Sequence, residues 1–481
     1  MQQLQLSAKG LSKKQELEIK EDNMVLRVED LSRRLKSLEQ RIIILEQENV
    51  VLKQENAELR AANDRLKELL QLNSRTSSLP PSRDLYKANR KNRLKSERNP
   101  GGQPGHKPHS YQQQEADEII DLFPDVCSCG HAMEIIDTFC VEQKIELPPI
   151  KPYVTEYHRW QGVCRGCGKK KTAPLPEGVQ SDLLGDRAKA VISSLSGFFN
   201  NSKRDVQQIL ENIFNLPISL GLVSATEKRV NKTLASTYKD LISQMEDSAY
   251  LHIDETGHNC RGKRGWGWMF TNRDMSLLKL TSSRGKKVLE SMLPEYEGMV
   301  ISDRYCAYRH FEEKKRQICW SHLKRDFERI AQSRNTLLAC QGESLGNISR
   351  DVFALDKDFK TGTISRFFYK IRMRKIKKRM LHALKGILMI PDVPHAHRVA
   401  KNLLDSFDMM WRFVENSEID LTNNLAERQI RKYVIYRKKS FFTWSQRGNE
   451  FMERILSLFL TCRLRKQNAF LKLSNIIAAA D

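Results

Sequence analysis

The sequence predicts a multidomain α/β protein, and three observations carry that expectation. Leucine recurs at every seventh position from Leu31 to Leu66, close cysteine pairs follow at Cys127/Cys129 and Cys164/Cys167, and beyond residue 248 short apolar runs alternate with helix-like stretches. At 481 residues the chain is long enough for a large core with accessory modules. Its 81 Lys and Arg against 59 Asp and Glu leave a formal charge of +22, which suits a polyanionic partner, nucleic acid ahead of an acidic membrane. No uninterrupted apolar run approaches the roughly 20 residues needed to cross a bilayer. The opening MQQLQLSAKG also lacks the apolar centre of a secretory signal. A cytoplasmic protein, on the nucleoid when bound to DNA, is therefore expected, with its ten cysteines as thiols or metal ligands rather than disulfides.

The first element, residues 1–73, reads as a coiled-coil leucine zipper. Leu31, Leu38, Leu45, Leu52, Leu59 and Leu66 take one core position, and Val28, Leu35, Ile42, Asn49, Asn56, Asn63 and Leu70 the other. A core asparagine is costly unless it meets its twin, which an in-register parallel homodimer provides. The flanking charges agree: Arg34 would face Glu39 of the second copy, Arg41 Glu46, Glu48 Lys53 and Glu55 Arg60, all attractive. A single solvated helix would not need leucine in six consecutive heptads. A basic-zipper transcription factor would carry its basic region ahead of the zipper, whereas here it follows.

That basic stretch, residues 74–115, is rich in Pro, Gly, Ser, Lys and Arg and reads as a flexible, positively charged linker, either a spacer or a contact for phosphates. Residues 116–180 then read as a zinc-binding, ribbon-like module. In Cys164-Arg-Gly-Cys167-Gly168 the two-residue gap lets both thiolates point at one ion and the glycine permits a tight turn. Cys127-Ser-Cys129-Gly130 is one residue shorter, so His131 and Cys140 stand as substitutes for one of its ligands. Four thiolates make a closed structural Zn²⁺ site, while reduced cysteines without metal are the plain alternative. The segment between the pairs holds Pro148, Pro149 and Pro152 among strand-like stretches.

Residues 181–247 are expected to be helical. KRDVQQILENIF and GLVSATEKRVNKTL are separated by NLPISL, where Pro217 interrupts the pattern. The pair has the form of a helix-turn-helix, and equally that of two packed structural helices.

Residues 248–445 hold the chemistry. Leu251-His252-Ile253 runs into Asp254, GWGWMF and SLLKLTSS follow as strands, GKKVLESML as a helix, and Gly298-Met-Val-Ile-Ser as a second strand that runs into Asp303. Adjacent strand ends are expected to bring Asp254 and Asp303 together. Side chains alternate along a strand, so of Asp254 and Glu255 only one faces Asp303, and Asp254 is the choice. Holding two divalent ions against a phosphate takes a third acid. Glu427 offers it at the start of a helix, although Asn424 and Glu427 also have capping-box spacing and Glu427 precedes Arg431 by four residues.

The zipper, PGGQPGH, the paired cysteines, HIDET, SDRYCAY, CWSHLKRDF and TNNLAERQIR occur in the order found in transposases of the insertion sequence 66 family, which the chain resembles over nearly its whole length. The resemblance implies a ribonuclease H-like catalytic core with a DDE triad on Asp254, Asp303 and Glu427. It also implies a helical insertion at about 331–415 within the catalytic domain, and a C-terminal helical region, 446–481, follows. Two departures stand out: Arg304 replaces the glycine usual after the second aspartate, and the first cysteine pair is short. Cys319-Trp-Ser-His322 matches a Cys-x-x-His element similar to one in many DDE transposases, and with two ligands it is expected to pack or to position groups near the active site rather than to close a zinc site.

The implied activity is metal-dependent phosphoryl transfer with two Mg²⁺ or Mn²⁺ ions: cleavage at the element's ends, then attack of the freed 3'-hydroxyl on target DNA. The implied partners are double-stranded DNA and a second copy of the chain, with accessory proteins of the element left open. Residues 366–385 contain no acid, so Arg374, Lys375, Lys377 and Lys378 are expected to meet phosphates while Phe367, Ile371 and Leu384 face a core. Arg428, Arg431 and Lys432, with Arg437, Lys438 and Lys439, continue this basic track beside Glu427. The alternative is a dimeric zinc-containing DNA-binding regulator or a transposase relic whose site no longer works.

Overall fold

A computed structural model describes residues 13–70, 113–124, 126–136, 140–179 and 182–480. The chain divides into two compact units, Met1–Lys91 and Asn92–Asp481. The predicted basic linker falls outside the described residues except for 113–115.

The first unit holds one helix of 58 residues, α1 (Lys13–Leu70). The span contains neither Pro nor Gly, so nothing in it interrupts the ladder of i to i−4 hydrogen bonds. Leu31, Leu38, Leu45, Leu52 and Leu59 lie 55 to 68 % exposed along it, as do Val28, Leu35 and Ile42. The side chains of Asn63, Leu66 and Leu70 lie outside those described.

In the second unit, residues 113–160 carry no regular element among those described, in place of the strand-like stretches expected there. Pro148, Pro149 and Pro152 lack the N–H that a ladder needs. A short antiparallel ribbon follows, β1 (Gln161–Val163) against β2 (Lys170–Thr172). Then come α2 (Asp186–Ser193), a π-wound turn at Ser194–Phe198, α3 (Lys203–Asn212) and α4 (Leu220–Glu246). Ser202 and Asp205 close a reciprocal capping box at the start of α3. The helix after Pro217 runs 27 residues, well past the expected Leu234. Its extra turns bury Tyr238, Leu241 and Met245 against the sheet, so α4 is a strut of the core.

The sheet has five strands in the order β5-β4-β3-β6-β7, namely β3 (Tyr250–Cys260), β4 (Lys263–Thr271), β5 (Ser276–Thr281), β6 (Met299–Ser302) and β7 (Arg316–Ile318). β3, β4 and β5 form an antiparallel meander, and β6 and β7 add in parallel on the other side of β3, with α5 (Lys286–Met292) in the crossover. Alternation along the strands sorts the side chains into two layers. Leu251, Ile253, Trp268 and Phe270 pack with Leu289 and Tyr308 on one face. Met269, Leu278 and Leu280 pack with Ile430, Tyr433, Met452 and Ile455 on the other.

That second face is covered by α11 (Asn424–Lys439), α12 (Gln446–Leu464) and α13 (Ala469–Ala480). Gly267 lets α11 approach, since a Cβ there would meet the Tyr433 ring at 3.0 Å. Between β7 and α11 the chain forms α6 (Trp320–Ala331), α7 (Thr336–Lys360), α8 (Arg366–Leu388), α9 (Pro394–Asp405) and α10 (Arg412–Glu415). They share a core built on Trp320, Phe327, Leu345, Tyr369, Met380 and Leu403. Among the described residues no helix is long and apolar enough to cross a membrane.

Candidate active site

Asp254 does not end its strand: β3 continues to Cys260, paired residue by residue with β4. What stops beside it is the parallel ladder to β6, whose last pair is His252↔Ile301. The cleft that opens past that pair is flanked by Asp254 and Asp303, but the oxygens of Asp254, Asp303 and Glu427 do not all lie within 4.8 Å of one another. Ser302 closes β6, and Asp303 follows in a turn whose shape is set by the Tyr305 N–H donating to Asp303 Oδ1 at 2.8 Å.

The third acid reaches the same cleft through a single buried residue. Asn423, 1 % exposed, donates from Nδ2 to the Ile253 carbonyl at 2.7 Å, just where β6 has left off. Its Oδ1 lies 3.2 Å from His252 Nδ1, and its backbone N–H donates to Cys319 Sγ at 3.1 Å. His252, fully buried, has its other ring nitrogen 3.4 Å from Asp420 Oδ2. Burial alone would push the Asp420 carboxyl up, but the His252 contact and the charges of Lys360 and Arg273 outweigh it and leave the group at about 2. The clamp fixes the start of α11 against β3, and Glu427 sits in its first turn.

The capping-box alternative for Glu427 does not hold. Asn423 is the residue at the cap, no side chain caps the helix, and Asn424 Oδ1 accepts instead from Ser321 Oγ at 3.2 Å. Among the described residues the ion-pair contact of Glu427 is His322 Nδ1 at 3.9 Å, not Arg431, and Glu427 Oε1 is buried without a hydrogen-bond partner. A carboxylate left over in this way is costly unless something else takes it.

Electrostatics ties the three acids together. Burial, then the charges of Glu255, Asp303 and Glu427, hold the Asp254 carboxyl well above the usual carboxylate range. Glu255 points to the other face, as alternation requires, and is spoken for: Arg284 donates to its Oε1 from Nε at 3.0 Å and from a terminal nitrogen at 2.6 Å, and Tyr308 donates to Oε2 at 2.5 Å. Burial and the Asp303 charge push Glu255 up, and those donors pull it part of the way back. Arg304 makes an ion pair with Asp326 on α6, tying the Asp303 turn to that helix.

The cationic residues divide. Arg374, Lys375, Lys378, Arg428 and Arg431 have exposed side chains and no acidic partner among the described residues. Lys377, by contrast, pairs with Asp408 at 2.7 Å, and Lys432 stands 4.3 Å over the Phe198 ring. The lack of acid within residues 366–385 is therefore misleading, because Asp351, Asp408 and Glu415 reach Arg379, Lys377 and Lys370 from neighbouring elements. Phe367 and Ile371 do not face a core: they are 69 and 38 % exposed, and the buried stripe is Tyr369, Met373, Ile376 and Met380.

The two cysteine pairs each shape a turn. The Cys127 carbonyl accepts from Gly130 N–H at 2.7 Å, and the Cys164 carbonyl from Gly168 N–H at 2.8 Å. Hydrogen bonds around Cys129 lower the Cys127 thiol, and those around Cys167 and Gly166 lower the Cys164 thiol, as suits thiolate ligands. The structure does not gather the four sulfurs: among the described residues, the group of three or more ligand atoms within 4.8 Å of one another is Cys319, His322 and Glu427.

The family model described as Transposase IS66 family matches residues 204–451, which covers the sheet, the acid cleft and the helices between them. The chain belongs to the IS66 transposase family. A second model, for a family of unknown function (DUF6444), matches residues 7–112 of this IS66-family chain. The uncharacterized protein y4qI of Sinorhizobium fredii (strain NBRC 101917 / NGR234) is 19 % identical over 232 residues. That similarity covers 42 % of this chain and 41 % of y4qI, so the two correspond over less than half of either length.

Proposed function

We propose that this chain is a DNA transposase that cuts at the ends of an insertion sequence and transfers the freed 3'-hydroxyl into target DNA, with Asp254, Asp303 and Glu427 as its catalytic acids. The observation that supports the reading is the electrostatic coupling of three carboxylates from β3, the β6 turn and α11, with Asp303 and Glu427 both raising Asp254, although their oxygens do not all lie within 4.8 Å of one another. The sheet order, with three antiparallel strands and two parallel ones added beside β3, supports a ribonuclease H-like core.

Mutually repelling carboxylates fit hard divalent cations, which favour oxygen donors. Bound Mg²⁺ or Mn²⁺ would supply activation of the attacking oxygen and stabilisation of the leaving one. The residues of the chain do the positioning: Asn423 holds Glu427 against β3, the Tyr305 N–H fixes Asp303, and Arg284 with Tyr308 keeps Glu255 turned away. Arg374, Lys375, Lys378, Arg428 and Arg431 are the phosphate contacts, carrying charge but little sequence discrimination. The exposed heptad stripe of α1 supports a parallel homodimer that brings two such sites to two DNA ends, and the turns at residues 127–130 and 164–168 each have the form of half of a structural Zn²⁺ site.

The test is cleavage by the purified chain of DNA carrying the element's ends, with Mg²⁺ or Mn²⁺. The parent cuts, and Asp254→Asn binds the same DNA without cutting. Equal cleavage by parent and variant removes Asp254 from the mechanism. Binding with no cleavage by either makes the chain a DNA-binding regulator.

A further inference from the structure

We infer that Cys319, His322 and Glu427 form a binding site for a soft divalent metal ion of the Zn²⁺ class, separate from the cysteine turns and sharing its carboxylate with the acid cleft. The ligand atoms of the three lie within 4.8 Å of one another. Two of them, His322 Nδ1 and Glu427 Oε1, are buried polar atoms without a hydrogen-bond partner although they stand 3.9 Å apart. An imidazole nitrogen and a carboxylate oxygen that face each other unbonded are what a cation between them would satisfy.

The local structure explains how so few residues converge. Cys319 precedes the first turn of α6 and His322 lies within it, so a spacing of three places both on one side of the helix end. Glu427 occupies the first turn of α11, and the Asn423 N–H that donates to Cys319 Sγ joins the two helix ends. Burial pushes the Cys319 thiol up, so the ion itself displaces the thiol proton as it binds. Sequence spacing alone offers two ligands, too few to hold zinc; the third comes from a helix more than a hundred residues further on.

The donor set decides the class of ion. Sulfur, nitrogen and a single oxygen suit Zn²⁺ and its spectroscopic substitute Co²⁺, whereas Mg²⁺ requires oxygen throughout. Three protein ligands leave a coordination position open. An ion in this site holds the carboxylate that the cleft also draws on, so its occupancy sets how Glu427 is presented to Asp254 and Asp303.

The inference rests on the transposase reading only in giving Glu427 that second role, and the readout, bound metal, does not depend on DNA cleavage. The full-length chain is stripped with a chelator and titrated with Co²⁺, following thiolate-to-cobalt absorption and bound equivalents; the cysteine turns contribute equally in every variant. Cys319→Ser and His322→Asn should each bind one equivalent fewer than the parent. Glu427→Gln should weaken that equivalent by more than about tenfold, and millimolar Mg²⁺ should not displace it from the parent. Thermal midpoints without metal check folding, and if Cys319→Ser unfolds, the partly exposed His322 carries the test. Equal equivalents in parent and variants, or displacement by Mg²⁺, overturns the site, and undiminished affinity in Glu427→Gln overturns the shared carboxylate.

Discussion

Replacing Asn423 with alanine tests whether one side chain seats the third acid. The substitution removes the bond from Nδ2 to the Ile253 carbonyl at 2.7 Å and the contact of Oδ1 with His252 Nδ1 at 3.2 Å. Both surviving partners are buried, since His252 is fully enclosed and Ile253 is 0 % exposed, so neither recovers water in exchange. Orphaning a buried polar group costs about 1–3 kcal/mol, and two of them together cost about 2–5 kcal/mol, a large share of the roughly 5–15 kcal/mol that stabilises a domain. Urea unfolding of the full chain, followed by circular dichroism, should show that loss as a lower midpoint with an unchanged slope. Below the unfolding transition, Mg²⁺-dependent cleavage should fall on the order of a hundredfold, because a displacement of about 1 Å in a positioned group costs that much. A stability change under about 0.5 kcal/mol, or cleavage at the parent rate, refutes the clamp.

Four further outcomes are expected. Asp254 is held above its unfolded value, so the stability it contributes to the metal-free chain is complete below about pH 4 and is lost as the pH rises; at pH 8 Asp254→Asn should melt higher than the metal-free parent, and Mg²⁺ at a hundred times its Kd should add about 2.7 kcal/mol to the parent only. Asp420 is depressed to about 2, so its contribution is present above about pH 4 and lost as the pH falls through about 2; Asp420→Asn should flatten that acid limb of the stability profile. Arg284→Ala strands Glu255, whose side chain is 2 % exposed, and should destabilise by about 3–5 kcal/mol, with Glu255→Gln costing distinctly less in the same unfolding measurement. Changing Arg374, Lys375 and Lys378 together to alanine should lower the slope of log affinity against log salt by about 2 to 3 without altering sequence preference, measured by fluorescence anisotropy on DNA.

Local pattern carried the elements and missed what crosses between them. The apolar runs at Leu251–Ile253 and Met299–Ser302 announce two strands, and the acids after them stand out because carboxylates seldom follow buried strands without a partner. That β3 runs on to Cys260 was hidden, since TGHNC has no apolar alternation and owes its conformation to pairing with β4. The Asn423 clamp was hidden for a different reason: it joins residues about 170 positions apart, and an asparagine before a helix looks the same whether it caps that helix or grips a strand. His252 was the available signal, a polar ring on the same side of the strand as Asp254 that needs a buried partner. The exposure of Phe367 and Ile371 is not legible in the sequence because two apolar stripes run along α8, and only the packing of α7 and α9 decides between them. Likewise the acids that neutralise Lys370, Lys377 and Arg379 come from other helices, which no reading of one segment can supply.

The spacing of the acids along the chain has a consequence for synthesis. Asp254 and Asp303 emerge from the ribosome more than a hundred residues before Glu427. At about 5–20 residues per second the delay is about 6 to 25 seconds. Throughout that interval, and in any product that stops within the intervening helices, the growing polypeptide has two of its acids and lacks the third. On the transposase reading, a cutting site that needs Glu427 therefore stays incomplete until residue 427 has been made.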